Sequence, residues 1–310
     1  MSRTEIPRIV SIETTNRCNA KCSFCPNSSL ARNRQTMAQD LFEKIIDDCT
    51  KFQLPAIEPF LNGEPLCDPN LLERLEHIRK RLPNTELRLY TNGYALTPAK
   101  QDALADIGVD HLFISLNTLD AGRYEKITGL SLEKTLDNLD YLSNHPQRQR
   151  IARKLTIRMT RLDDTPLEEQ EKFNQFCVEK NAIPFIAALY NYKGDINSAL
   201  PVPNFPCANI TRVDILASGT VTLCCMDQEG EYSWGDVRNE SVLDIYNNLQ
   251  ARLVKQAHRS GNRKNFPPCN ICNYCSPSFE KTGIIRRLRF KTEKRNYWQQ
   301  YKPRGMVAPR

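Results

Sequence analysis

The chain has 310 residues, of which 40% are hydrophobic and 25% are charged, and its formal net charge is +7. These proportions are typical of a water-soluble globular protein, and no apolar run approaches the roughly 18 to 20 residues that a membrane span requires. Twelve cysteines, together with an N-terminus unlike a signal peptide, favour a reduced cytoplasmic protein with metal-bound thiols over a disulfide-bonded secreted protein.

Short apolar strands and amphipathic helices alternate from residue 8 to about residue 190. The predicted strands are Ile9–Glu13, Ile57–Leu61, Glu86–Tyr90, His111–Leu116, Leu155–Thr160 and Pro184–Tyr190. Helices are predicted between them, near 38–53, 69–82, 98–107, 132–144 and 166–181. This alternation predicts an α/β fold with a parallel sheet wrapped by helices. Such an array either closes as an eight-stranded barrel or stays open with six strands, and its ligands lie at the carboxyl ends of the strands.

Three cysteines, Cys18, Cys22 and Cys25, follow the first predicted strand with C-x3-C-x2-C spacing. Three thiolates at the end of one strand can hold three irons of a four-iron cluster and leave the fourth iron without a protein ligand. The alternative is a structural zinc site. Zinc prefers a closed tetrahedral set of four ligands, and no fourth Cys or His lies near these three in the sequence.

This spacing, with Phe24 directly before the last cysteine, resembles the signature of the radical S-adenosylmethionine (SAM) enzymes. The resemblance implies an open (β/α)6 partial barrel and a [4Fe-4S] cluster held by Cys18, Cys22 and Cys25. It also implies that the free iron chelates SAM and that an electron from the cluster cleaves SAM to a 5′-deoxyadenosyl radical. The adenine of SAM is then expected beside Phe24.

The second predicted strand leads into Asn62-Gly63-Glu64-Pro65, which resembles the Gly-Gly-Glu-Pro motif of the same family, with Asn62 in place of the first glycine. A carboxylate and backbone carbonyls at this position can accept hydrogen bonds from the SAM ammonium group, and glycine lets the backbone approach closely. Taken alone, the same four residues form an ordinary turn.

Polar residues also follow the later predicted strands. The resemblance implies that Ser115 or Asn117, after strand four, bonds the ribose of SAM, and that Arg158, on strand five, pairs with the SAM carboxylate through its planar guanidinium. Thr91 follows strand three as a weaker candidate. A polar turn or a solvated arginine explains each of these residues equally well.

The pattern changes after residue 190. Residues 191–206 are rich in turn residues and predict a linker. Thr211–Leu216 and Thr220–Cys225 then predict a β-hairpin, and Ser241 is expected to cap a helix that runs to about His258. The predicted domains are therefore a partial barrel over 1–190, a linker over 191–206, a small C-terminal domain over 207–280 and a basic tail over 281–310.

A second set of cysteines lies in this C-terminal domain. Cys207, Cys224, Cys269 and Cys272 resemble the ligands of the C-terminal SPASM and shorter twitch domains of radical SAM enzymes. The resemblance implies one auxiliary [4Fe-4S] cluster, with Cys275 as an alternative ligand. A four-cysteine zinc site is the other interpretation. Two C-x2-C pairs would favour zinc, whereas sixteen residues separate Cys207 from Cys224.

Cys225 directly follows one of these predicted ligands on a strand. Neighbouring side chains of a strand point to opposite faces, so if Cys224 faces the cluster, Cys225 faces elsewhere. A thiol that reaches the substrate could donate a hydrogen atom to a substrate radical, as in some radical SAM epimerases. The simpler interpretation is a free thiol without a function.

The last thirty residues carry ten Lys or Arg residues and one acidic residue. Such a tail can bind phosphates, nucleic acid or an acidic partner. A solvated terminus is the simpler interpretation. A nucleic-acid partner is not expected, because no RNA-recognition signature accompanies the charge.

These features predict a radical SAM enzyme that abstracts hydrogen from a small hydroxylated substrate, such as a sugar, an aminocyclitol or a nucleoside. Oxidation by the auxiliary cluster would complete a dehydrogenation, and hydrogen return from a thiol would complete an epimerisation. The expected reducing partner is a flavodoxin or ferredoxin, and no membrane partner is expected. The alternatives are modification of a ribosomally made peptide, disfavoured because only about eight residues precede the first predicted strand, and a non-catalytic iron–sulfur electron carrier.

Overall fold

The computed structural model describes residues 4–274 of the chain, so Cys275 and the basic tail lie outside the described residues. Nine strands in this region form one sheet. The strands are β1 (Ile9–Ile12), β2 (Ala56–Glu58), β3 (Glu86–Thr91), β4 (His111–Ser115), β5 (Lys154–Arg161), β6 (Ile183–Ala188), β7 (Arg212–Ile215), β8 (Thr220–Thr222) and β9 (Ser233–Asp236).

The order of the strands in the sheet is β6-β5-β4-β3-β2-β1-β7-β8-β9. Each of β1 to β6 pairs in parallel with its neighbour in sequence. The predicted mixed α/β fold with a parallel core, a (β/α)6 array followed by a small hairpin domain, is thereby confirmed. The sheet does not stop at β1, because β7 pairs in parallel with the free side of β1 and β8 and β9 extend it in antiparallel fashion.

Nine α-helices lie in the described residues, and none of them is both long and apolar enough to cross a membrane. They are α1 (Gln39–Cys49), α2 (Leu71–Arg81), α3 (Pro98–Ile107), α4 (Ala121–Thr128), α5 (Leu132–Asn144), α6 (Arg148–Ile151), α7 (Leu167–Glu179), α8 (Val242–Asn247) and α9 (Leu249–Arg259). Helix α1 shows why they pack on the sheet. Its residues Phe42, Ile45, Ile46 and Cys49 recur with helical spacing and are fully buried.

Several elements differ from the sequence prediction. The strand predicted over Thr220–Cys225 ends at Thr222, so Cys224 and Cys225 lie in the turn after β8 and the alternation of side chains along a strand does not apply to them. The second strand ends at Glu58 rather than Leu61. The amide of Phe60 donates a hydrogen bond to the carbonyl of Glu58, which turns the chain away from the neighbouring strands. The predicted helix from Ser241 to His258 is two helices. It breaks at Asn248, which ends α8 and caps α9 by accepting a hydrogen bond from the amide of Ala251 at 2.9 Å.

One face of the sheet, here called the inner face, carries polar and aromatic side chains, among them Ser11, Glu58, Arg212, Tyr90 and Phe113. The carboxylate of Glu58 accepts hydrogen bonds from Ser11 at 3.0 Å and from Arg212 at 2.8 Å, which joins β1, β2 and β7. The ring of Tyr90 stacks on Phe113 with centroids 4.2 Å apart, which joins β3 and β4. Because these side chains are polar or aromatic, the inner face is suited to binding a polar ligand at the carboxyl ends of the strands and not to packing a hydrophobic core.

Candidate active site

The three N-terminal cysteines lie in one loop, residues 15–25, which follows the carboxyl end of β1. We call it the cysteine loop. The amides of Lys21 and Ser23 donate to the carbonyls of Thr128 and Ile127, each at 2.8 Å. These carbonyls belong to the last turn of α4, where helical carbonyls lack partners within the helix. Helix α4, which sequence reasoning missed, therefore supports the cysteine loop.

The thiols of the cysteine loop are close enough to influence one another. Burial, together with the charge of Cys25, raises the pKa of Cys18 and of Cys22 to about 12. Burial also raises the pKa of Cys25. Thiolates in such surroundings need a compensating positive charge, which bound metal supplies. None of the three thiols forms a disulfide.

Cys67 is a fourth cysteine at the edge of this loop, and sequence reasoning did not find it. It ends a short 3₁₀ helix, Pro65–Cys67, directly after the predicted motif. Its charge raises the pKa of Cys18, and burial followed by the charge of Glu64 raises its own pKa. Only the fold brings it near Cys18, so the sequence carried no local signal for it.

The segment from Asn62 to Pro65, here called the SAM motif loop, packs directly on the start of the cysteine loop. Gly63 has φ of +89°, and a Cβ atom at this position would lie 2.7 Å from the carbonyl oxygens of Thr15 and Arg17. Only glycine fits such an approach of two backbones. The side chain of Asn62 is buried and donates to the carboxylate of Glu13 at 2.9 Å.

Glu64 links the ends of β2 and β3. Its carboxylate accepts hydrogen bonds from the hydroxyl of Thr91 at 2.6 Å and from the amides of Asn92 at 2.7 Å and Leu66 at 3.1 Å. Burial raises the pKa of Glu64, and these hydrogen bonds oppose the rise. The carboxylate is thus fixed by the chain itself, with acceptor capacity for about one further donor.

Ser115, Asn117 and Arg158 meet where β4 and β5 end. Ser115 and Arg158 are paired in register, and the side chain of Asn117 accepts from the amide of Thr160 at 3.0 Å. Asn117 adopts φ of +65°, a left-handed conformation that asparagine tolerates better than most residues. Asn117 therefore holds β4 to β5 through its side-chain oxygen, while Ser115 lies beside Arg158.

Arg158 lies over two aromatic rings of the inner face. Its guanidinium carbon is 5.7 Å from the centroid of Tyr90 and 5.5 Å from that of Phe185. Such stacking holds the cation in place while its N–H groups remain able to donate. Phe24, in the cysteine loop, is half-buried.

The C-terminal cysteines form a second cluster of thiols. Burial raises the pKa of Cys224, and the charges of Cys225, Cys272, Cys269 and Cys207 contribute to the rise in that order. Cys207, Cys269 and Cys272 are themselves buried. The described residues thus bring all four predicted ligands together, while Cys275 lies outside them.

Two buried side chains from α9 and the segment after it order this second cluster. The amide of Cys207 donates to the Nδ1 atom of His258 at 3.1 Å. Arg263 donates through Nη2 to the carbonyls of Cys272 at 2.7 Å and Tyr274 at 2.8 Å. Burial raises the pKa values of Cys269 and Cys272, and the positive charge of Arg263 opposes that rise. Sequence reasoning missed both residues.

Cys225 has different surroundings from Cys224. Its sulfur accepts a hydrogen bond from the side chain of Asn209 at 3.1 Å. Burial, with the charges of Asp214 on β7 and of Cys207, raises its pKa to about 12, and the charge of Arg212 on β7 opposes the rise. Cys225 thus lies against the β7 residues of the inner face.

Both thiol sets fit iron–sulfur clusters in donor type. Cysteine thiolates are the usual ligands of such clusters, and each binds a different iron. Residues 4–274 contain no group of three or more His, Cys, Asp or Glu side chains arranged to hold a single metal ion.

Comparison with protein families gives two matches. Residues 12–173 match the radical SAM superfamily, and residues 207–276 match SPASM, an iron–sulfur cluster-binding domain. The two domains imply a SAM-binding [4Fe-4S] cluster and an auxiliary cluster.

Two curated relatives differ in how much of their length they share. The S-adenosyl-L-methionine-dependent 2-deoxy-scyllo-inosamine dehydrogenase of Niallia circulans is 22% identical over 88% of this chain and 95% of its own length. The tungsten-containing aldehyde ferredoxin oxidoreductase cofactor-modifying protein of Pyrococcus furiosus is 35% identical, but over only 35% of this chain and 30% of its own length. The chain thus spans less than a third of that second relative.

Two solved structures share the fold. BtrN in complex with AdoMet and 2-DOIA has a TM-score of 0.65 at 19% identity, covering 90% of this chain and 98% of that chain. Streptococcus suis SuiB bound to precursor peptide SuiA has a TM-score of 0.67 at 15% identity, covering 87% of this chain and 70% of that chain. Since the superfamily match spans more than half of the 310 residues, from the strand that precedes the cysteine loop to α7, this protein belongs to the radical SAM superfamily.

Proposed function

We propose that this protein cleaves SAM reductively and uses the 5′-deoxyadenosyl radical to abstract hydrogen from a small hydroxylated substrate, giving dehydrogenation or epimerisation. The observation that carries the proposal is likeness along almost the whole chain to the 2-deoxy-scyllo-inosamine dehydrogenase, whose length is matched to 95%. The proposal is also supported by one auxiliary set of four cysteines in the described residues of this chain, which suits one electron acceptor.

The proposal assigns Cys18, Cys22 and Cys25 to the SAM-binding cluster. Cys207, Cys224, Cys269 and Cys272 are assigned to the auxiliary cluster. The SAM motif loop supports this arrangement, because Gly63 and Glu64 are pressed against the cysteine loop where the SAM ammonium group is expected. Asn117 is assigned a structural role, because its side-chain oxygen accepts a hydrogen bond from the amide of Thr160 on β5. Ser115 is therefore the better candidate to bind the ribose of SAM.

The substrate is assigned to the space around Tyr192. The charges of Cys25, Cys225 and Cys22 all raise the pKa of this tyrosine, after burial, and the charge of Arg158 lowers it. Tyr192 therefore lies within electrostatic reach of the cysteine loop and of Cys225, the neighbour of the auxiliary ligand Cys224. Its φ of +45° is strained for a tyrosine, and strain of this kind is concentrated at functional sites.

Tyr274 lies on the auxiliary side of the same space. Burial and the charges of Cys225 and Cys207 raise its pKa, and its ring meets Tyr190 edge-on at 4.7 Å. Aromatic walls with hydroxyl groups suit a ring substrate that carries several hydroxyls. Arg158 adds a cation that can bind either the SAM carboxylate or an electronegative substituent of the substrate.

The two outcomes differ in what happens to the substrate radical. To become a carbonyl, the carbon-centred radical of an alcohol must lose one electron and its hydroxyl proton, and the auxiliary cluster is the electron acceptor assigned here. To become an epimer, the radical must gain one hydrogen atom on the opposite face, and the Cys225 thiol is the donor assigned here. A flavodoxin or ferredoxin is the proposed source of the electron that cleaves SAM.

The test begins with anaerobically reconstituted protein, SAM and dithionite. Formation of 5′-deoxyadenosine is expected, and its absence with both clusters intact favours the electron-carrier alternative. Aminocyclitols and amino sugars deuterated at each carbinol carbon are then supplied. Deuterium in 5′-deoxyadenosine identifies the carbon attacked. A carbonyl product means dehydrogenation, and uptake of solvent deuterium into an inverted product means epimerisation.

Peptide modification is the second candidate, because the SuiB fold, solved with a precursor peptide, covers 87% of this chain. A genomic neighbour that encodes a short precursor peptide provides its test. Modification of that peptide, with no deuterium transfer from any aminocyclitol or amino sugar, would replace the first proposal.

A further inference from the structure

Glu13, at the carboxyl end of β1, binds three separate segments of the chain. Its carboxylate is fully buried and accepts hydrogen bonds from the side chain of Asn62 at 2.9 Å, from both Nη atoms of Arg32, one of them at 2.7 Å, and from the amide of Ala217 at 2.9 Å. Asn62 belongs to the SAM motif loop, Arg32 follows the cysteine loop, and Ala217 lies in the turn between β7 and β8. Four donors saturate a carboxylate.

Arg32 continues this chain of contacts into the C-terminal part of the protein. Its Nε atom donates to the carbonyl of Gln228 at 2.6 Å. The carboxylate of Glu229 accepts from the amides of Ala31 at 2.8 Å and Arg32 at 3.2 Å. The segment after the cysteine loop is thus bonded to residues 228 and 229 through both its side chain and its backbone.

Residues 228 and 229 lie in a turn that begins at Cys224. The amide of Asp227 donates to the carbonyl of Cys224 at 2.9 Å, and the buried carboxylate of Asp227 accepts from the amide of Tyr232 at 2.9 Å. A change at Cys224 therefore acts on the backbone that positions Glu229.

The segment after the cysteine loop is equally well attached to the loop itself. Arg34 donates to the carbonyl of Asn16 at 3.0 Å, and the amide of Gln35 donates to the side chain of Asn16 at 2.7 Å. A shift of residues 31–35 therefore also moves the backbone of Asn16, on which Gly63 packs.

We propose that Glu13, Arg32, Asn62, Ala217 and Glu229, the Glu13 network, couple the SAM site to the auxiliary-cluster site, so that occupancy of each stabilises the other. Glu13, Arg32 and Glu229 act as positioning residues. Coupling between two sites is reciprocal, so SAM binding stabilises the turn after Cys224 as much as that turn favours SAM binding. This inference rests on the ligand assignment of the proposed function.

The test compares Glu229→Ala and Arg32→Lys with Glu76→Ala, an exposed residue of α2 outside the network. The reconstituted holoenzyme is used in each case, and its iron content is measured first. SAM affinity is measured by calorimetry, and hydrogen exchange of residues 222–232 is followed with and without SAM. No substrate is present, so an error in the proposed substrate class leaves the result intact.

In the wild type, SAM is expected to slow exchange in residues 222–232. Both network variants should lose that protection and bind SAM about tenfold more weakly, since hydrogen bonds to a charged group are removed or rearranged. Glu76→Ala should match the wild type. If SAM leaves exchange in residues 222–232 of the wild type unchanged, the coupling does not exist, whatever iron the variants retain. Full protection and affinity in both variants would also overturn it.

Discussion

At the scale of single residues, Gly63 shows how closely the SAM motif loop packs on the cysteine loop. The contact is between backbones, with distances of 2.7 to 2.8 Å to an added Cβ, so no side chain can move aside. The sequence motif predicted a glycine for close approach. It did not say that the approach is to Thr15, Asn16 and Arg17 of the chain itself.

Gly63→Ala is expected to weaken SAM binding at least tenfold and to lower the free energy of unfolding by about 1 to 3 kcal/mol, because the left-handed backbone and the clash both oppose a Cβ. Calorimetry with SAM and anaerobic chemical denaturation measure the two effects. Gly122→Ala, in the first turn of α4, is the matched control, since its Cβ would meet only an Asp120 oxygen at an ordinary 3.6 Å. Wild-type SAM affinity in Gly63→Ala would show that the two loops are free to separate.

Cys67 is the residue that tests whether the SAM-binding cluster has three thiolate ligands or four. Cys67→Ala is expected to keep the iron content and the change in the electron paramagnetic resonance spectrum that SAM causes, because the proposal leaves the fourth iron to SAM. Cys25→Ala should lose the iron of the SAM-binding cluster and this spectral change, and keep the auxiliary iron. Loss of the cluster in Cys67→Ala would mean that a fourth thiol closes the site and would contradict radical SAM chemistry at this loop.

Cys224 and Cys225 are neighbours with opposite expected effects. Cys224→Ala should lose the auxiliary iron, because this thiol lies among Cys207, Cys269 and Cys272. Cys225→Ala should retain the auxiliary iron, because the Cys225 sulfur accepts a hydrogen bond from Asn209 and lies near Arg212. Iron and sulfide analysis distinguishes them. If Cys225→Ala also lost the auxiliary iron, Cys225 would be a ligand and not a hydrogen donor.

At the scale of elements, α4 explains which parts of the fold the sequence could predict. Strands and long helices with a clear apolar period were predicted to within a few residues. Helix α4 is short, with eight residues and three buried ones, so its periodicity is weak. Its ends carried a readable signal nonetheless. Asp120 caps its first turn, and Gly129 ends it in the left-handed conformation.

Asn248 is a second cap that an apolar pattern does not reveal. It accepts from the amide of Ala251 at 2.9 Å and donates to the carbonyl of Trp234 at 2.7 Å, which fixes the start of α9 to β9. Asn248→Ala is expected to lower the free energy of unfolding by about 1 kcal/mol and to loosen the helix that carries His258. Ser131→Ala is the control, because its cap to Lys134 is long, at 3.5 Å. Equal melting temperatures for the two variants would contradict this ranking.

At the scale of the whole molecule, the continuous sheet was the feature that sequence reasoning could not reach. A hairpin over 211–225 was predicted, but its pairing with β1 depends on long-range contacts that no local pattern records. Sequence reasoning also missed Cys67, Glu13, Arg32 and Arg263, because their contacts are with residues far away in the sequence. The sequence predicted residue types with known chemistry, whereas the residues that position them became visible only in the fold.

A chain that ends at residue 206 is expected to fold poorly, although the predicted barrel and linker would be complete. Removal of β7 exposes one edge of β1 and leaves Glu13 without the amide of Ala217. Exposed strand edges promote aggregation. Soluble yield and the sharpness of anaerobic thermal unfolding, compared with the full chain, measure the effect. A soluble, cooperatively unfolding fragment that binds SAM with wild-type affinity would show that the two parts are independent.

The position of β1 also has a consequence for how the protein is made. Ile9 pairs with Ala56 on one side and with Arg212 on the other. Strand β1 therefore leaves the ribosome well before β7, and its second edge stays uncovered until residues 212–215 have been made. The sheet is whole only after β7 to β9 have been translated, so we expect the iron–sulfur delivery machinery to meet a chain that already includes residues 212–236 rather than a nascent barrel.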